Sequence, residues 1–191
     1  MIRFLALFFC LAACAGGPGA GLPDAQPLGM DQLTARVTAA GRSYAAALPD
    51  TGTARYHGLA RLNLPSAAAT QPYQGDLALV VAFGGAADPL TGTISGLQGP
   101  GGALTGDLQI NGGTLFADAQ AGRDYQFSAN LAGQLGQGGQ TQDLTAALSG
   151  DFYGTTGDGM AGVIYRGVIR QGDEVDVFDG VFAAERNGSG G

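Results

Sequence analysis

Lysine and tryptophan are absent from the 191 residues, histidine occurs once, at His57, and cysteine twice, at Cys10 and Cys14. Each shortage closes off a class of chemistry. Nine basic residues against 16 acidic ones leave a net charge of −7 with no basic run, so the clustered positive charge that phosphate contacts require is missing. No nucleic-acid partner is expected. A single histidine, with no cysteine beyond Cys14, offers neither a zinc ligand set nor a nucleophile–base pair. The chain is therefore read as a non-enzyme without cofactor or metal. No apolar run approaches the roughly 20 residues that a spanning helix needs.

What the chain does contain begins with an export signal. Residues 1–13, MIRFLALFFCLAA, place one cationic side chain, Arg3, before an apolar run and then two small residues. That is the layout of a signal peptide. Leu11-Ala12-Ala13-Cys14 matches the lipobox of bacterial lipoprotein precursors, which makes Cys14 the expected lipid-attachment residue and the N-terminus after cleavage. Ala15 follows it in place of an inner-membrane-retention aspartate, so the outer membrane is the expected location, with the domain on its periplasmic or surface face. Without Arg3, eight arginines stand against 16 acids, a charge of 8 − 16 = −8. The roughly 177 residues left suffice for one well-buried domain. Residues 14–29 are rich in glycine and proline and read as a tether.

Residues 30–48, MDQLTARVTAAGRSYAAAL, carry Met30, Leu33, Val37, Ala40, Tyr44 and Leu48 at three- and four-residue steps. The spacing predicts a short helix, started by Asp31 and weakened at Gly41, that packs over one open end of the domain behind it. From Thr53 the period becomes two. Alternating stretches run at 53–64, 74–84, 89–97, 103–110, 114–119, 124–135, 142–153, 160–169 and 175–186. Turn signals separate them: Asp88-Pro89, Gly99-Pro100-Gly101-Gly102, Asn111-Gly112-Gly113, Gly136 to Gly139 and Gly172-Asp173. One buried face per strand and short connections predict an all-β fold, an antiparallel up-and-down barrel of about eight strands over 53–186. Glycine, at 35 residues more than twice the usual share of about 7%, recurs inside the strand patterns, where it lets a small barrel curve. Residues 187–191 read as a flexible tail.

At 150–154 and 180–186 the chain resembles the barrel of transferrin-binding protein B and of small single-barrel surface lipoproteins like it. The residues that carry the resemblance are Gly150, Phe152, Tyr153, Gly154, Gly162, Gly180, Phe182, Ala184 and Arg186, with 48–58, LPDTGTARYHG, as the opening strand. These positions are read as structural. The resemblance implies a lipid-anchored binding barrel that presents loops to a protein or small solute. The large members carry two lobes with additional handle domains, for which this chain has no room, so transferrin binding itself is not implied.

Two further motifs read as structural. Gly157-x-Gly159-x-x-Gly162 spells a dinucleotide fingerprint but opens an alternating strand, not a helix. Asp173, Glu174, Asp176 and Asp179 lack the ligand spacing of a calcium loop and fit a solvated hairpin end. Tyr56, Phe152, Tyr153 and Phe182 read as core or barrel-end packing. The alternatives to a binding module are an integral eight-stranded outer-membrane barrel and, last, a hydrolase with an unmarked site. The lack of aromatic girdles and the polar C-terminus count against the first.

Overall fold

The structure, a computed structural model, describes residues 29–66, 69–117, 119 and 124–188. The expected signal peptide, the Cys14 lipid site and the tether before residue 29 lie outside these residues. Helix α1 (Met30–Ala39) comes first, then a single 3₁₀ turn (Ala45–Ala47). The strands are β1 (Gly52–Leu64), β2 (Gln71–Phe83), β3 (Leu90–Gly99), β4 (Gly102–Ala103), β5 (Leu108–Leu115), β6 (Phe127–Gln137), β7 (Gln140–Tyr153), β8 (Gly159–Gln171) and β9 (Glu174–Arg186). Every pairing is antiparallel, in the order β2-β1-β9-β8-β7-β6-β5-β3, and β2 pairs with β3 to close the ring. The two-residue β4 only folds back on the end of β3. The expected closed barrel of eight strands forms, and it leaves no long free edge.

Alternation puts Tyr56, Leu62, Leu79, Ile94, Leu108, Phe127, Leu131, Leu148, Phe152, Ile164 and Phe182 inside, all buried. An eight-stranded barrel is just wide enough for side chains to fill it. Aromatic rings need more room than that, and glycines supply it. One inward row reads Phe127, Gly150, Gly162, Phe182, Ala60 and Gly75 across neighbouring strands. The rings of Phe127 and Phe182 meet at 6.1 Å over the two central glycines. A Cβ on Gly150 would lie 2.8 Å from the Phe127 ring, and one on Gly162 2.8 Å from that of Phe182. The family-like glycines at 150 and 162 are thus seats for rings.

Three expectations change. The helix predicted over 30–48 stops at Ala39, because Gly41 adopts φ +75° and its N–H bonds the Thr38 carbonyl. A left-handed residue just past the last turn is how helices commonly end. Its position differs too: Met30, Leu33 and Val37 pack with Leu59, Ala161, Ala183 and Val181 on the outer wall of β1, β8 and β9, not over an open end. Finally, the stretches 103–110 and 114–119 do not flank a turn. Asn111-Gly112-Gly113 is a bulge within the continuous β5, held because the Asp88 carboxylate accepts from the N–H groups of Gly112 (3.1 Å) and Gly113 (2.7 Å).

The exposed outer wall is mostly polar, with Val175 and Val177 of β9 as exceptions. Arg55, His57, Gln74, Asp76, Gln109, Asn111, Asn130, Asp143 and Arg170 all face out and are exposed. No helix among the described residues is long and apolar enough to cross a membrane.

Candidate binding site at one barrel end

The first strand and the connections β2–β3, β5–β6 and β7–β8 share one end of the barrel, here called the mouth. Helix α1 delivers the chain to it: Val37 reaches Gly159 at the start of β8, and a strap of residues 42–51 then crosses to β1. Leu48 in the strap packs against the main core. The strap is pinned by a buried amide. Gln126, 3% exposed, donates from Nε2 to the Ser43 carbonyl (2.8 Å) and accepts at Oε1 from the Phe152 N–H (2.9 Å). Ser43 itself donates its N–H to the Phe152 carbonyl and its hydroxyl to that of Gly154 (2.6 Å). Arg42 pairs with Asp151 at 2.7 Å. Burial pushes the Asp151 carboxyl above its ordinary 3.8, an effect that Arg42 and the Gln126 N–H oppose.

Between strap and barrel lies a cleft of about 490 Å³. Apolar side chains line about half of it: Ala45, Leu48 and Pro49 from the strap, Phe83 at the end of β2 with Ala86 and Ala87 after it, and Leu115 and Phe116 at the end of β5. Asp50, Thr114 and Gln126 supply its polar groups. The connecting segments here also expose aromatic side chains: Tyr44 is 77% exposed, Phe116 43% and Tyr125 47%. A concave site where apolar side chains meet a few convergent polar groups is the usual form of a small-ligand site. The opposite end differs. Its depression is lined mostly by polar residues, Ser66, Gln140, Gln142, Gln171, Glu174 and Asp176 beside Pro65 and Ile169, and Gln171 bonds both Gln140 and Gln142.

The residues singled out in the sequence divide by place. Phe152 lies inside at the mouth, 5.1 Å from Phe127 and 6.3 Å from Tyr56. Gly180 is inward and leaves room for Leu62, while Tyr153 faces out and packs beside α1. Gly154 turns at φ +89° where Ser43 docks. The Arg186 N–H bonds the Asp158 carbonyl, and its guanidinium lowers the Tyr56 hydroxyl pKa that burial, the stronger influence, pushes up to about 12. Tyr56 donates to the Gly157 carbonyl at 2.7 Å, so the glycine-rich 157–162 stretch is a turn latched by a core tyrosine and leads into β8. The acidic residues around 173–179 spread along an exposed hairpin, where Asp179 accepts from Asn63 at 2.6 Å. Among the described residues no group of three or more His, Cys, Asp or Glu side chains is placed to hold a metal. Sequence reading missed Gln126, Arg42 and the cleft. No sequence signal marked Gln126, which falls with Ser128 and Asn130 on the polar side of its strand pattern.

No family model matches the chain, and no curated protein matches it. Among solved structures it is similar to a mutant of Transferrin Binding Protein B, a vaccine antigen of Haemophilus parasuis. The similarity has 18% identity and a TM-score of 0.47, over 76% of this chain and 28% of that one. The chain thus spans less than a third of that protein.

Proposed function

We propose that the chain is a lipid-anchored binding module of the bacterial cell envelope. In this reading it is fixed to the outer membrane through Cys14 and holds its barrel mouth toward a protein or small solute, with no catalytic role. The observation that carries the reading is the division of the surface. The exposed wall is mostly polar and the interior filled, while a cleft where apolar side chains meet polar groups, with exposed aromatics nearby, sits at the mouth. A polar wall around a greasy centre is the reverse of a bilayer-spanning barrel, which turns its apolar band outward. The entry of the chain fits as well. Asp31 meets Arg61 (3.0 Å) toward the polar end, and Val37 lies near the mouth, so α1 runs up the wall and the mouth is at the end away from Met30. The motif resemblance to transferrin-binding protein B supports a binding role, without transferrin as the partner.

Two measurements test this. Mass spectrometry of chain recovered from membranes should find an acylated N-terminus at Cys14, and Cys14→Ser should abolish membrane retention. Photo-crosslinkers placed at Ala86 in the cleft and at Gln140 in the polar end should give adducts from the envelope and its surroundings at the first position only. An unacylated chain, or equal labelling at both ends, contradicts the proposal.

A further inference from the structure

A second groove, of about 530 Å³, lies outside the barrel where β6, β7 and β8 approach the mouth. Its floor is two small residues paired across β6 and β7, Ser128 and Ser149. Phe116, Ala119, Asp124 and Tyr125 from the β5–β6 connection line it together with Tyr165 of β8. Among the described residues it shares only Phe116 with the mouth cleft.

The groove is held in shape from several sides. The Tyr165 hydroxyl lies 3.2 Å from that of Ser149, which is itself 3% exposed. Beneath the β5–β6 connection, the Phe116 N–H bonds the Gln126 carbonyl at 2.8 Å, and Arg42 donates to the Asp124 carbonyl. On the β8 side, Arg166 sits in a bulge between Ile164 and Gly167 and is the one described non-glycine residue with positive φ, 52°. Such a conformation is strained for a residue with a side chain. Its guanidinium carbon stands 5.8 Å from the Tyr165 ring centre, at the edge of the groove.

We propose that this groove binds a saccharide. Three aromatic side chains offer faces and edges for the C–H surface of a sugar ring, and three hydroxyls (Ser128, Tyr125 and Tyr165), the last backed by Ser149, offer donors and acceptors for its hydroxyls. The other ligand classes fit less well. An apolar ligand would strip water from those hydroxyls without replacing its hydrogen bonds. An organic cation would have to displace the Arg166 guanidinium already beside the Tyr165 ring. Amphipathic ligands with both an apolar face and a rim of hydroxyls suit all of these groups together.

The test uses the full chain and ligand-observed NMR. Neutral hexoses, N-acetylhexosamines and hexuronates form one set of probes, choline and free arginine the other. Saturation should transfer to at least one sugar class and to neither cation. Tyr125→Ala, at an exposed position, should weaken that binding about ten-fold or more, and Tyr165→Ala likewise, while Val177→Ser near the polar end should leave it unchanged. Circular dichroism verifies that each variant keeps its fold. Absence of transfer to any sugar, a preference for the cations, or sugar binding indifferent to both tyrosine substitutions overturns the proposal. None of these results bears on crosslinking at Ala86, so the mouth reading stands or falls separately.

Discussion

Gln126 shows how one residue can join three parts of the chain. Its amide bridges the strap at Ser43 and the end of β7 at Phe152, while its own backbone N–H bonds the Gly150 carbonyl. Replacement by leucine leaves a buried N–H and a buried carbonyl each short of a partner. At 1–3 kcal/mol for each unsatisfied group, Gln126→Leu should cost about 2–6 kcal/mol, read from urea unfolding; a loss below about 1 kcal/mol would show that the clamp is not needed. Asp151 gives a pH signature. Its folded pKa lies above the ordinary 3.8, chiefly through burial. A carboxyl shifted this way contributes stability that is complete below the unfolded pKa and fades as pH rises through the folded one. The Tm of Asp151→Asn, measured against the parent, should therefore gain ground as pH climbs from below 3.8 toward neutrality. A pH-independent difference refutes this. Tyr56 offers an optical check at the alkaline end. Of the six tyrosines, one should ionise last, near pH 12, in an absorbance titration, and Tyr56→Phe should remove that step.

Among the elements, β7 and β8 show why glycine recurs in strands that glycine ordinarily weakens. Gly162 faces Gly150 across the pair and carries the Phe182 ring above it. A methyl group there would lie 2.1 Å from the Ser149 carbonyl oxygen and 2.6 Å from the Gly150 Cα, both backbone atoms that no rotamer change can move. Gly162→Ala should then cost at least the 1–3 kcal/mol typical of overpacking, whereas Gly172→Ala at the β8–β9 tip meets no atom within 4 Å and should lose only the turn preference implied by its φ of +60°. Unfolding curves of the two variants separate packing from backbone strain; equal losses would contradict the ring-seat account. Helix α1 illustrates the limits of periodicity. Its apolar face does pack, through Met30, Leu33 and Val37, but the pattern continued past the point where Gly41 turned the chain away.

At the scale of the molecule, closure decides stability. The first strand pairs with the last, Tyr56 opposite Arg186 through Asn63 opposite Asp179, so residues more than a hundred apart must meet before the ring exists. Such non-local pairing slows folding, typically to milliseconds or seconds. Removing β9, residues 174–191, would open edges on both β1 and β8 and strip the floor from under α1. The truncated chain should aggregate and lose its cooperative thermal transition; a soluble product with the parent's dichroism spectrum would disprove the dependence on closure.

Much of this architecture was legible from residue order. Period-two runs such as Leu77, Leu79, Val81 and Tyr125, Phe127, Ala129, Leu131 already named the buried face of each strand, because a strand's side chains alternate whatever its neighbours are. Tyr125 was the exception: it stands exposed before β6 begins and lines the outer groove. Turn residues and composition carried the count and the antiparallel connections. The candidate sites could not be read in that way. Ala45, Phe83 and Leu115 come from three distant segments, as do Tyr125 and Tyr165, and none of them sits in a local motif. Whether Asn111-Gly112-Gly113 turned or bulged depended on a carboxylate from Asp88, in another connection. Local backbone geometry repeats along a chain and is written in its order, whereas a cleft, a clamp or a ring seat exists only once closure has brought remote residues to one place.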